Sequence, residues 1–166
     1  AVISADAGST LKIFGGVQNT VGNNTLRLVA NGDIWLGNTE MSYGGSTRFA
    51  SVEKFGTGTL RMDSSNVTEV LDQAGAGLVV RQGTVLFDTN GSWRSPVYLD
   101  VGSVLRLDNT AVNFATGRLS SSLSATYKNI TFRGGWLDLL GGTTSASPKL
   151  ENFADASFGK GLSTIS

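Results

Sequence analysis

FGTGTLRMD, residues 55–63, sets two glycines two positions apart, then alternates apolar and polar side chains, then ends on Asp. Such a run is either a loop that cradles a ligand or a corner between two short strands. The rest of the chain decides between them. Phe55 stands three residues before Gly58, and Leu60 and Met62 stand two and four after it. Gly83 is flanked in the same way by Val80, Val85 and Phe87, Gly135 by Phe132, Leu137 and Leu139, and Gly32 by Val29, Ile34 and Leu36. A fifth anchor, Gly102, follows Leu99, but its apolar pair slips by one residue to Leu105 and Leu107. Gly8, with Leu11 and Ile13, shows the same slip. A Gly template recurring through the chain reads as a structural corner rather than a ligand loop. Glycine suits a corner because it reaches positive φ at little steric cost. Alternation after the corner sends Leu60 and Met62 to one face and Thr59 and Arg61 to the other.

The anchors Gly32, Gly58, Gly83, Gly102 and Gly135 are 26, 25, 19 and 33 residues apart. Short apolar runs fill the gaps: LRL at 26–28, LVV at 78–80, VYL at 97–99 and ITF at 130–132. VTEVLDQAG, residues 67–75, is the best helical stretch, but its β-branched residues suit a strand and turn as well. A strand–corner–strand unit of about 20 to 30 residues predicts a solenoid, since propeller blades need about 40 to 50. The expected fold is all-β: a parallel β-solenoid of about six or seven irregular coils, forming one domain over residues 1–166. The chain starts without Met or a basic-then-apolar leader, so the expectation is a processed chain or a fragment of a longer one.

Composition narrows the function classes. Thirteen Lys and Arg balance thirteen Asp and Glu, so no basic face points to nucleic acid and no net charge draws the chain to anionic lipid. No apolar run approaches the roughly 20 residues of a membrane-spanning helix. With 22 Gly, 2 Pro and 40% hydrophobic residues, the chain is too apolar for a disordered linker. It has no Cys and no His, which removes disulfides, thiolate metal sites and the Ser-His and Cys-His nucleophile pairs.

The stretches GTGTLRMDSSN, RQGTVLFDTNGS and VGSVLRLDNTAVN resemble the autotransporter-associated β-strand repeat of large bacterial surface proteins. ITFRGGWLDLLGG, followed by GLSTIS, is similar to the tail of such repeats. The resemblance covers roughly residues 50–166 and is looser before Phe49. It implies a right-handed parallel β-helix, exported and displayed outside the cell, and it carries over no catalytic residue. The coil length is uneven for the family, and the C-terminal membrane barrel that the resemblance implies does not fall within residues 1–166, so the expectation is either a fragment or a repeat serving another extracellular or viral assembly, such as a virion fibre.

Three groups of side chains compete for a role. Trp35 falls between inward Ile34 and Leu36, and Trp136 is likewise on the outward phase. Leu86 shares Trp35's place in the template. An outward apolar strip of this kind suits a neighbouring subunit or a cell-surface glycan, so Trp35, Leu86 and Trp136 are the expected contact residues; the bland alternative is that an adjacent loop covers them. Asp63, Asp88 and Asp108 follow strands at matching places. Calcium needs six to eight oxygens and the repeat motif that supplies them in β-rolls is absent, so no metal or other cofactor is expected. Asp63 and Asp88 on neighbouring coils can approach the spacing of a glycosidase pair, but only by stacking, and no catalytic residue is assigned. Asn23, Asn66, Asn90 and Asn129 open Asn-x-Ser/Thr triplets at a frequency this composition supplies by chance.

Overall fold

The computed structural model describes residues 1–15, 17, 24–37, 49–63, 77–89, 91–93, 95–111, 118–119, 129–141 and 151–166. The helical candidate at 67–75 lies outside them, as do Asn23, Asn66 and Asn90. Among the described residues there is no helix, and fourteen strands fall into seven successive pairs, or rungs. These are β1 (Val2–Ala5) with β2 (Thr10–Ile13), β3 (Thr25–Ala30) with β4 (Asp33–Leu36), and β5 (Ser51–Phe55) with β6 (Thr59–Met62). Next come β7 (Leu78–Val80) with β8 (Gly83–Phe87), and β9 (Val97–Asp100) with β10 (Ser103–Asn109). The last are β11 (Ile130–Arg133) with β12 (Trp136–Gly141), and β13 (Ala156–Phe158) with β14 (Thr164–Ile165). Odd strands make one seven-stranded sheet and even strands the other, each in chain order. Every strand-to-strand pairing within them is parallel.

Parallel sheets usually carry crossover helices on both faces and read as unbroken apolar runs. Here each strand is followed by one in the opposite sheet, so only the inner faces share a core. The sequence answers with alternation, as in TLRM of β6 and DIWL of β4, whose even positions are buried. Inward side chains then stack in columns. Leu26, Val52, Leu78, Val97 and Ile130 form one in the odd sheet, and Ile34, Leu60, Val85, Leu105 and Leu137 form one in the even sheet. All ten are at most 1% exposed. Burial of each such side chain is worth about 1.5–3 kcal/mol.

The corners differ from the expectation in two physical respects. First, Gly32, Gly58, Gly83 and Gly135 do stand at one level of the even sheet, given the pairings Ile34↔Leu60, Thr59↔Thr84, Gly83↔Ser103 and Val104↔Trp136. Only Gly83 among these four has positive φ. What demands glycine at Gly58 is proximity: a Cβ there would meet the Gly32 carbonyl oxygen at 1.9 Å. Gly102 stands one place before this level, with φ 74°, and Ser103 takes the level itself, which brings Leu105 and Leu107 into line with Val85 and Phe87. The slip in the sequence is therefore an exchange of roles between Gly102 and Ser103.

Second, the apolar residue three places before each glycine is not one structural position. Val29 and Phe55 pair on an outward column, whereas Val80, Leu99 and Phe132 line the inward column of Leu28 and Lys54. The inward residues Leu28 and Lys54 stand four places before Gly32 and Gly58, whereas Val80 and Phe132 stand three before Gly83 and Gly135, so the same spacing in sequence ends on opposite faces.

Candidate functional site

The even sheet's outer face carries the expected contact residues. Lys12, Trp35, Arg61, Leu86, Arg106 and Asp138 follow one another up a single outward column. Trp35 and Leu86 thus share a column, two rungs apart. Trp136 belongs to a different one, with Thr84, Val104 and Thr164. The three residues do not form one continuous strip.

The two Trp environments differ. The Lys12 ammonium lies 4.7 Å and the Arg61 guanidinium 4.4 Å from the Trp35 ring centroid, and Phe14 meets the ring edge-on at 5.4 Å. The Trp35 indole N–H donates to Asp63 at 2.7 Å. Trp35 is therefore already engaged by the cations of the rungs before and after it, an arrangement that stabilises the outer face by cation–π attraction. Trp136 is 47% exposed, and its indole N–H donates to the Ser166 hydroxyl at 3.0 Å. Nearby, the Arg106 guanidinium meets the Asp138 carboxylate at 2.7 Å. An exposed aromatic held by one hydrogen bond beside a polar pair is the better platform for a partner.

Asp63, Asp88 and Asp108 also share an outward column, given Met62↔Phe87 and Leu107↔Phe87. Each is engaged within the chain. Asp63 accepts from Trp35, Asp88 lies 2.8 Å from Arg61 Nε, and Asp108 accepts from the Thr110 amide and hydroxyl. Burial works to raise the Asp108 pKa, but the Thr110 hydrogen bonds, with Arg118 and Arg106 nearby, outweigh it and hold the carboxyl below its ordinary value. Among the described residues no group of three or more acidic side chains is placed to hold a metal ion. Asn129 is exposed just before β11.

On the odd sheet, opposite charges alternate from rung to rung. Arg27 meets Glu53 at 3.3 Å, Arg81 bridges Glu53 at 2.9 Å and Asp100 at 2.8 Å, and Arg133 approaches Asp100 at 3.7 Å while lying over Tyr98. Exposed pairs are worth little singly, but a network that spans successive rungs ties the ladder together.

Two buried cations were not anticipated from the sequence. Lys54 occupies an inward position between Leu28 and Val80 and is 0% exposed. Its ammonium donates to the carbonyls of Gly56 (2.5 Å), Gly58 (2.6 Å) and Gln82 (2.9 Å), one acceptor for each N–H. Burial lowers its pKa to about 8, against the pull of Asp33. The Gly-rich corner does cradle a cation, and that cation is the chain's own. The signal was Lys in the inward phase of SVEKF, two residues before Gly56.

Arg118, also 0% exposed, donates to Asn109 Oδ1 and to the carbonyls of Asp88, Thr89, Gly91 and Asp108. Glu151 closes the cluster by accepting from the Arg118 amide at 2.7 Å and from the Asn109 side chain at 2.9 Å. Burial lowers the Arg118 pKa, with Glu151, Asp88 and Asp108 opposing, and burial likewise pushes the Glu151 carboxyl up. These groups hold loops together, and all their polar atoms face the chain itself.

Among the described residues no helix is long and apolar enough to cross a membrane. No family model, no curated protein and no solved structure matches this chain.

Proposed function

We propose that this chain is a seven-coil, right-handed parallel β-solenoid acting as a stiff structural and adhesive module of an exported bacterial surface protein or fibre. In this reading each rung is one coil, and the outer side chains determine what the rod touches. The observation that carries it is the fate of the polar side chains. The charged groups of the odd sheet pair along the stack, Lys54 places its donors on corner carbonyls, and Arg118 places its own on four backbone carbonyls and Asn109 Oδ1. Side chains committed to holding rungs together serve rigidity, leaving recognition to the outer face around exposed Trp136 and half-buried Leu86. The resemblance of residues 50–166 to the autotransporter-associated repeat supports the exported, cell-surface setting.

The test is retention of the purified chain on immobilised polysaccharides and on intact bacterial cells, with product release followed in the same wells. Binding without turnover, weakened at least tenfold by Trp136→Ala or Leu86→Ala, is the expected result. Absence of retention on every surface removes the adhesive half of the proposal. Turnover abolished by Asp63→Asn or Asp88→Asn would replace it with a glycan-processing function, and a closed trimer in solution would favour a virion fibre.

A further inference from the structure

Trp136 and Leu86 lie on different columns of the even sheet's outer face, and Val104 joins them. Val104 is the register partner of Trp136 on the preceding rung. Leu86 pairs with Arg106, two residues along β10 from Val104, and so lies diagonally from Val104 one rung earlier. Leu86, Val104 and Trp136 therefore form an oblique apolar track across the fourth, fifth and sixth rungs, rising about 4.8 Å at each step. Trp136 is 47% exposed, and Leu86 and Val104 are half-buried. Each of these rungs has a neighbour on both sides, so the track is a feature of the sheet face. Among the described residues no cation lies over the Trp136 ring, in contrast to Trp35, which Lys12 and Arg61 flank.

Hydrogen-bonding groups run beside the track, and their charges cancel. Arg106, exposed on β10, donates through Nε to Asp138 at 2.7 Å. Asp138 stands two residues along β12 from Trp136, about 7 Å away on the same face. Asp108 stands two residues along β10 from Arg106, so a carboxylate meets this cation on two sides. Arg61, the register partner of Leu86 on the preceding rung, is likewise set against Asp88 at 2.8 Å. The track is thus bordered by donors and acceptors without an uncompensated cation.

One exposed indole and two half-buried aliphatic side chains offer far less than the roughly 800 Å² per partner of a stable protein interface. They suit a smaller amphipathic ring. The C–H face of a pyranose lies on an indole while its hydroxyl edge reaches polar groups alongside. We infer that this face binds a neutral oligosaccharide, its sugar rings laid along Leu86, Val104 and Trp136 and its hydroxyls turned towards Arg106 and Asp138. An acidic glycan finds no free cation there. This inference rests on the adhesive reading above and names the ligand class of that same face.

The experiment titrates the chain by isothermal calorimetry with maltohexaose, cellohexaose, laminarihexaose and chitohexaose, and with oligogalacturonate as the acidic comparison. At least one of the four neutral oligosaccharides is expected to bind with a Kd below about 1 mM. Raising the salt from about 0.05 to about 0.5 M should change that Kd by less than about twofold. Trp136→Ala and Val104→Glu should each weaken binding about tenfold or more, while Trp136→Phe, which keeps a stacking ring, should weaken it by less than about threefold. Circular dichroism checks that each variant keeps the fold. Equal or tighter binding of oligogalacturonate, binding that fades with salt, or undiminished affinity in Val104→Glu overturns the inference. So does failure of all four neutral oligosaccharides to bind. If bacterial cells still retain the chain after that failure, the adhesive reading stands with a different ligand. Neutral-sugar binding by a chain that no surface retains removes the adhesive reading and leaves the sugar site.

Discussion

Lys54 and Arg118 close opposite ends of β8 by the same chemistry but from different sources. Lys54 gathers the Gln82 carbonyl just before the strand, and Arg118 gathers those of Asp88 and Thr89 just after it. Both are cations at 0% exposure whose acceptors are mainly backbone oxygens. Lys54 rises from a neighbouring rung and meets two acceptors two and four residues along its own chain. Arg118 arrives from the long connection between β10 and β11, and its cluster is completed by Glu151, 33 residues further on. The first corner is held by register alone, whereas the second depends on ordering distant chain, with the entropic cost of closing those loops. A corner made by local stacking can be repeated from rung to rung; one made by a distant Arg occurs where the chain provides the connection.

The comparison breaks most visibly at Arg118. Arg118→Met keeps much of the stem and the amide that Glu151 accepts from, but leaves Asn109 Oδ1 and four carbonyls without their donor. Loss of one partner from a buried charged cluster costs about 3–5 kcal/mol. Urea denaturation should show a lower midpoint, and Arg118→Lys should recover only part of it because an ammonium cannot reach five acceptors in two directions.

Gly58→Ala tests the other corner while leaving Lys54 itself unsubstituted. The new Cβ would lie 1.9 Å from the Gly32 oxygen, a backbone atom that cannot turn aside. The rungs must separate locally, at a cost of about 2–4 kcal/mol, in the range of overpacking and backbone strain. A stability loss below about 1 kcal/mol would mean that the corners are not in contact as described.

Lys54→Met should cost about 1–3 kcal/mol near pH 7 by leaving corner carbonyls without a donor. The pH dependence has a definite sign. Burial lowers the folded-state pKa to about 8 from 10.5, so between those values the unfolded chain holds more protons and stability rises with pH. Below pH 8 Lys54 is charged in both states and the desolvation cost is carried in full; above 10.5 it is neutral in both and that cost is gone. Thermal unfolding of the unmodified chain minus that of Lys54→Met should therefore shift towards greater stability across this window, by on the order of 3 kcal/mol. A flat difference would show that the ammonium is not desolvated.

These corners also show what was legible in the sequence. The alternation in GTLRM and DIWLG gave the inward and outward faces, and the Gly anchors gave the level at which rungs stack. Both are local signals fixed by the period of two in an extended chain. How many places each inward residue stands before its glycine was not legible, so Val80 and Phe132 were grouped with Val29 and Phe55, although the first pair points in and the second out. Lys54 was legible in principle, as a charge in an apolar phase beside two glycines. Arg118 and Glu151 were not, because nothing near either residue specifies a partner 27 to 33 positions away. Of the contact residues, the shared column of Trp35 and Leu86 followed from the template. The template also sets Arg61 beside Trp35 and places Trp136, one position after its glycine rather than three, on another column; the placing of Lys12, behind the slipped Gly8 anchor, depended on strand register.

The smallest effect isolates a third way of closing a corner. Where Lys54 supplies an ammonium to the third and fourth rungs, Ser9 and Ser103 supply a hydroxyl to the first and fifth. The hydrogen bond is the same in both, 2.6 Å to the Asp6 carbonyl and 2.7 Å to the Asp100 carbonyl. Its surroundings differ, since Ser103 is 1% exposed while Ser9 lies on the surface. Removing a hydroxyl costs most where water cannot replace it at the acceptor left behind. Ser103→Ala should therefore lower stability by about 1 kcal/mol and Ser9→Ala by less than half of that. If chemical denaturation of dilute monomer gave equal losses, the hydroxyls would be acting through corner geometry alone, and burial within the stack would add nothing to the bond.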